Sequence, residues 1–122
     1  MKKILLAEDD PFLIDIYTNK LKSTGFEVEV AEAGGKVLRK LKEKKFDLLL
    51  LDIVLPEMSG WEILEKLREN ENLKDLKIVI ISNLGQRSEV ERGLKLGVTK
   101  YLIKAHYTPG EVVEEIRKIL EK

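Results

Sequence analysis

Residues 46–60 read FDLLLLDIVLPEMSG, and four leucines, Leu48–Leu51, followed at once by Asp52 decide how the chain folds. Four successive large apolar side chains leave no polar side for water, so the run fits a strand buried on both faces. A parallel sheet covered by helices on both sides offers that environment. The carboxylate that closes the run is costly there unless a partner or a task holds it.

Working outward, Ile4-Leu5-Leu6-Ala7 and Ile78-Val79-Ile80-Ile81 are two more runs of the same kind. Phe26, Val28 and Val30 alternate with Glu27 and Glu29, the pattern of a half-exposed strand, and Tyr101-Leu102-Ile103 makes a last short one. Helical spacing lies between them. Asp10-Pro11 supplies a cap and a first-turn proline ahead of Leu13, Tyr17 and Leu21, and Gly25 stops that helix. Val37, Leu38 and Leu41 mark a second helix, and Ile63, Leu64 and Leu67 a third. Val90, Leu94 and Leu96 are expected to line a fourth, ended by Gly97. Thr108-Pro109-Gly110-Glu111 is a capping box that opens a fifth, with Val112, Val113, Ile116, Ile119 and Leu120 on one face.

Alternating strands and helices imply right-handed parallel crossovers with helices on both sheet faces. The fully apolar strands 1, 3 and 4 belong in the middle and the alternating second strand at an edge. The order 2-1-3-4-5 satisfies this: an α/β, doubly wound, five-stranded parallel sheet flanked by five helices. Its topological switch point falls between strands 1 and 3, where ligands of open α/β sheets bind beyond the strands' carboxyl ends.

The 122 residues suit a single domain over 1–122. Lysine plus arginine (22) equals aspartate plus glutamate (22), which gives no electrostatic reason for direct binding to nucleic acid or an acidic membrane. The absence of cysteine excludes disulfides, thiolate metal sites and a cysteine nucleophile. Apolar runs of four residues fall far short of the roughly 20 that span a bilayer, and acids interrupt MKKILLAEDD too early for a signal peptide. The expected location is the cytoplasm.

Strand 1 runs into Glu8-Asp9-Asp10, strand 3 into Asp52, strand 4 into Ser82 and strand 5 into Lys104. Two carboxylates about 4 Å apart in a partly dry site repel by several kcal/mol, so a proton or a cation must relieve them. Hard oxygen donors without cysteine or histidine point to Mg²⁺ or a similar ion. Such a site, with a lysine and a hydroxyl across the pocket, matches a phosphoryl group, and Asp52 is the better candidate nucleophile. Each part also has a plain structural reading. Asp10 is a helix cap, Glu8 and Asp9 are first-turn acids, Ser82 is a turn residue and Lys104 a solvated strand end. Asp52 is the hardest to explain that way, and the joint pattern favours function.

The motifs ILLAEDDP, LLLLDIVLPEMSGWEIL, IVIISN and KYLIKA, in this order and spacing over nearly the whole chain, resemble the receiver domain of bacterial two-component response regulators. The resemblance implies a CheY-like, flavodoxin-like fold and a phosphorelay switch. Asp52 would take a phosphoryl group from a phosphohistidine on a sensor histidine kinase or phosphotransfer protein. Mg²⁺ would be held by Asp9, Asp52 and the backbone carbonyl of Val54, with Glu8 acting through a metal-bound water. Lys104 would pair with the phosphoryl group and Ser82 would move toward it. Tyr101 matches the family's aromatic switch residue, though alone it reads as a strand residue half covered by helices 4 and 5. Pro56 and Gly60 match the loop after the phosphorylated aspartate. The chain would be no enzyme with turnover, catalysing only its own phosphorylation and dephosphorylation. Helix 4, strand 5 and helix 5 would present the surface for a downstream partner.

Two positions depart from the family. Ala105 follows Lys104 where proline is usual, so either a trans bond with a shifted loop or a strained cis bond is expected; the latter costs about 2.5–4 kcal/mol. Asn83 replaces a small residue and would crowd the pocket mouth or hydrogen-bond the phosphoryl group. Gly93 weakens helix 4 by up to about 1 kcal/mol, and either plain tolerance or a softened switch explains it. His106 is expected to be exposed and without a role, and Trp61 to be no more than a lid on helix 3.

A phosphatase of the haloacid dehalogenase type would want a second acid two residues after the nucleophile, where this chain has Val54. A flavodoxin-like cofactor binder would want a phosphate loop where Glu8, Asp9 and Asp10 would repel phosphate. The intact set of Glu8, Asp9, Asp52, Ser82 and Lys104 disfavours a degenerate receiver kept only for protein interaction.

Overall fold

Leu48–Leu51 form the central strand β3, with none of the four side chains exposed. The computed structural model describes residues 1–121. Strand β1 (Lys3–Ala7) lies on one side of β3 and β4 (Lys77–Ser82) on the other. Strands β2 (Glu27–Ala31) and β5 (Lys100–Ile103) flank them, and every pairing is parallel, in the order 2-1-3-4-5. The crossovers are α1 (Pro11–Ser23), α2 (Gly34–Glu43), α3 (Gly60–Arg68) and α4 (Arg87–Lys95), and α5 (Pro109–Leu120) follows β5.

Strand side chains alternate between the two faces and so build two cores. Ile4, Leu6, Leu48, Leu50, Val79 and Ile81 pack with Tyr17 and Leu21 of α1 and Val112 and Ile116 of α5. Leu5, Leu49, Leu51, Ile78 and Ile80 pack with Val37 of α2 and with Ile63, Leu64 and Leu67 of α3. The caps follow local chemistry. Asp10 accepts from the Phe12 N–H at 2.9 Å, Gly25 takes φ +99° just after α1, and Thr108 and Glu111 cap α5 reciprocally.

At the sheet edge, Glu29 of β2 pairs with Lys40 (3.0 Å) and Lys44 (2.8 Å), reaching from α2 and the residue that follows it. The two ammonium groups hold the Glu29 carboxyl down to about 2. They also place charge along an otherwise open edge.

Helix α4 corrects one expectation. Leu94 does not line its inner face but is 52% exposed, while Gly93 is buried. A Cβ on Gly93 would stand 2.9 Å from Cδ2 of Tyr101 and 3.1 Å from Cδ1 of Ile80. The buried side of α4 is therefore made by a missing side chain, which apolar periodicity does not register. Gly93 is a close-approach residue, which plain tolerance does not account for. Among the described residues no helix is long and apolar enough to cross a membrane.

Candidate functional site

The parallel register brings the polar ends of the strands together. Ala7 is level with Leu51 and Leu51 with Ile80, so Glu8 and Asp52 emerge side by side, with Ser82 just beyond. The Asp52 N–H donates to the Ala7 carbonyl at 3.0 Å, which extends the ladder by one residue and fixes the acid at the strand tip. Asp52 is only 5% exposed and Glu8 only 1%.

Every carboxylate oxygen of this buried pair has a definite neighbour. Asp52 Oδ1 accepts from the Val54 N–H at 3.0 Å, and Oδ2 lies 2.6 Å from Lys104 Nζ. Glu8 Oε2 accepts from the Asp9 and Asp10 N–H groups at 3.1 and 3.2 Å. Glu8 Oε1 lies 3.0 Å from Lys104 Nζ but outside hydrogen-bond geometry, which makes this an ion pair with an unsatisfied buried lone pair. Burial pushes the Glu8 carboxyl above its usual range and the Asp52 charge adds to this, against the opposing pull of Lys104. Burial pulls the Lys104 ammonium down, yet the contacts with Asp52 and Glu8 outweigh it and its pKa is raised.

One lysine faces three acids, because an oxygen of exposed Asp9 joins those of Glu8 and Asp52 within 4.8 Å of one another. The donor set is all oxygen, carries excess negative charge and includes Glu8 Oε1, which is ion-paired but accepts no hydrogen bond. It fits a hard divalent cation. A cleft of about 590 Å³ at the opposite end of the sheet, beside Phe46, Leu73 and Leu76, contains none of these groups.

Ser82 is fully buried, and its Oγ accepts from the Leu84 N–H at 3.2 Å. The Tyr101 hydroxyl donates to the carbonyl of the same Leu84. Ser82 and Tyr101 are thus joined through one residue of the β4–α4 loop. Burial raises the Tyr101 pKa, and the Glu89 charge adds to it. Tyr101 is half covered, as its plain structural reading had it, and by α4, but not by the core that α5 builds. It belongs to the core on the α2–α3 side, against Gly93 of α4.

No peptide bond among the described residues is cis, so Lys104–Ala105 is trans, and residues Lys104–His106 turn into a short 3₁₀ helix. Asn83 is exposed and its side chain makes no hydrogen bond to the described residues; His106 is exposed as expected. The Gly60 N–H donates to the Ile53 carbonyl at 2.8 Å, and a Cβ on Gly60 would meet Ile53 Cα at 2.7 Å. This tight turn folds the loop after Asp52 back on itself. Trp61 does more than cover its own helix. Its ring centroid is 6.5 Å from that of Tyr101, and the Arg92 guanidinium lies 4.4 Å from the indole centroid. Leu84 and Arg92 escaped sequence reasoning: one acts through its backbone, and an arginine on a polar helix carries no motif.

A buried acid thus stands at the switch point, paired with a lysine and beside oxygen donors that fit a cation. Residues 4–117 match the model of the response regulator receiver domain, and the chain belongs to that family, the phosphorylation-dependent modules of two-component systems. It is 33% identical over 122 residues to the phosphate regulon transcriptional regulatory protein PhoB of Rhizobium meliloti (strain 1021), covering all of this chain and 53% of that protein. It is 29% identical over 121 residues to the alkaline phosphatase synthesis transcriptional regulatory protein PhoP of Bacillus subtilis (strain 168), covering 99% and 49%. The chain thus spans about half the length of these curated relatives. A solved CheY-like receiver domain protein from Methanospirillum hungatei JF-1 superposes with TM-score 0.89 at 30% identity, covering 99% of this chain and 94% of that one. The Mn²⁺-bound form of response regulator Rcp1 gives 0.88 at 25% identity, covering 97% and 93%.

Proposed function

We propose that the 122 residues form one receiver domain in which Asp52 accepts a phosphoryl group from a phosphohistidine on a sensor histidine kinase or phosphotransfer protein. The observation that carries this reading is the buried Asp52 carboxylate 2.6 Å from Lys104 Nζ, beside the oxygens of Glu8 and Asp9. An Asp52 oxygen attacks phosphorus, the P–N bond breaks, and its electron pair returns to the imidazole. Lys104, already between Asp52 and Glu8, stays to pair with the incoming phosphoryl oxygens. The Ser82 hydroxyl turns from the Leu84 N–H and donates to one of them. Leu84 then moves, and Tyr101, which donates to its carbonyl, follows.

Asp9, Asp52 and the Val54 carbonyl would hold Mg²⁺, with Glu8 acting through a metal-bound water. Bound there, the ion supplies charge neutralisation at the transferring group. Tyr101 sets the position of α4, so phosphorylation shifts a two-state equilibrium and changes affinity for a downstream partner at the α4–β5–α5 face. The chain catalyses only its own phosphorylation and dephosphorylation, acts in the cytoplasm, and touches neither nucleic acid nor membrane through these residues; the balance of 22 basic and 22 acidic side chains supports the last point.

Incubation with a small-molecule phosphodonor, with and without Mg²⁺, followed by intact mass measurement tests the reading. One phosphoryl group is expected in the wild type with Mg²⁺ and none in Asp52→Ala. Equal gain by the variant, or sustained turnover of phosphomonoesters, contradicts it.

A further inference from the structure

Helix α4 is poorly anchored for an element of a two-core protein. Its only buried residue is Gly93, and Leu94 is exposed. A groove of about 500 Å³ runs along it, lined by Glu65 of α3 with Ser88, Glu91, Arg92, Lys95 and Leu96. The helices are therefore bridged by side chains and not packed together. A segment with so little apolar burial depends on such ties to stay in place.

Three ties are visible. At the start of α4, the Tyr101 hydroxyl holds the Leu84 carbonyl. At its end, Arg68 of α3 donates Nε to the Leu96 carbonyl and Nη2 to the Gly97 carbonyl at 3.3 Å. In the middle, the Arg92 guanidinium lies 4.4 Å from the Trp61 ring centroid, within cation–π range. Only the middle tie touches both the helix and the neighbour of the switch tyrosine, because the Trp61 ring stands beside Tyr101 at 6.5 Å.

We propose that Trp61 and Arg92 form a clamp that holds α4 against α3 in the unphosphorylated protein and sets the threshold of the switch. The clamp rests on the phosphoacceptor reading above and adds to it how the resting state is maintained. While Tyr101 bonds Leu84, its ring stands beside the indole, and the Arg92 guanidinium rests on that same indole. When Leu84 moves and Tyr101 turns away, the indole loses its support and α4 is free to shift. By the same linkage, losing Arg92 raises the population of the shifted form before any phosphate arrives. Trp61 and Arg92 are positioning residues: neither touches the reacting atoms.

The test compares Arg92→Gln, Arg92→Lys and Arg87→Gln with the wild type. Arg87 lies on the exposed side of α4, paired with Glu91, so its variant controls for lost charge. Amide hydrogen exchange over residues 87–96 and the rate of phosphorylation by a small-molecule donor with Mg²⁺ are measured. In Arg92→Gln both should rise by about two- to five-fold, the factor expected of one partly exposed cation–π contact. Arg92→Lys should return most of the way, Arg87→Gln should match the wild type, and emission from Trp61, the only tryptophan, should shift on phosphorylation. Unchanged exchange and rate in Arg92→Gln overturns the clamp. Faster exchange with an unchanged rate also overturns it, as the contact is then structural alone. A wild type that takes no phosphoryl group instead overturns the proposed function, and is told apart because clamp failure leaves the wild type reactive.

Discussion

Lys104 carries two burdens at once, since its ammonium is the cation shared by the buried Asp52 and Glu8. Replacing it with glutamine leaves like charges facing each other away from water. The expected loss is about 1–3 kcal/mol in urea unfolding without divalent cations, largely restored by Mg²⁺. Equal stability with and without the ion would contradict the site's charge balance. Glu8 makes a prediction with a sign. Its folded-state pKa is raised above the ordinary 4.5, so between that value and the raised one the folded protein binds more protons than the unfolded chain. Stability then falls as pH rises through that window. Glu8→Gln should flatten this fall in a series of thermal melts, whereas an unchanged slope would assign it to other groups. At this scale the placement of Glu8, Asp52, Ser82 and Lys104 was legible because each ends an apolar strand run, where a polar residue stands out, and Asp9 comes directly after Glu8. The link through Leu84 was not, because any residue can supply a backbone N–H and carbonyl.

Helix α4 shows where periodic reasoning stops. Gly93 reads as a weak helix residue, and substitution by alanine should add up to about 1 kcal/mol of helix propensity. The added Cβ would stand 2.9 Å from the Tyr101 ring. Gly93→Ala is therefore expected to lower the melting temperature and disturb Tyr101; a stabilised variant would refute the close approach. Leu94 misled for the same reason, because hydrophobic spacing assumes that the buried face is made of side chains. Trp61 was underestimated because its partners, Arg92 and Tyr101, are distant in sequence. The edge strand supplies a second prediction. Lys44 and Lys40 hold the Glu29 carboxyl at about 2, a lowered value, so its contribution is present above 4.5 and lost as pH falls through about 2. Lys40→Gln with Lys44→Gln should make acid unfolding begin at higher pH; an unmoved acid limb would show that the edge pairs contribute nothing.

For the molecule as a whole, the order 2-1-3-4-5 was readable from which strands are wholly apolar and which alternate. The same strands hold the site still. Leu50 is fully buried one residue ahead of the strand's last, and Leu50→Ala should cost about 2–5 kcal/mol in urea unfolding. Such a chain loosens the scaffold without touching Asp52, so its phosphorylation should weaken only where it begins to unfold. The fully buried strand holds Asp52 at its tip, while α4 buries no residue but Gly93. The central claim is that the acceptor is Asp52. After phosphorylation with Mg²⁺, borohydride reduction converts an acyl phosphate on aspartate to homoserine, and peptide mapping by mass spectrometry locates it. Homoserine at position 52 alone is the predicted result, and homoserine at position 9, or none anywhere in a protein that has gained phosphoryl mass, would contradict it.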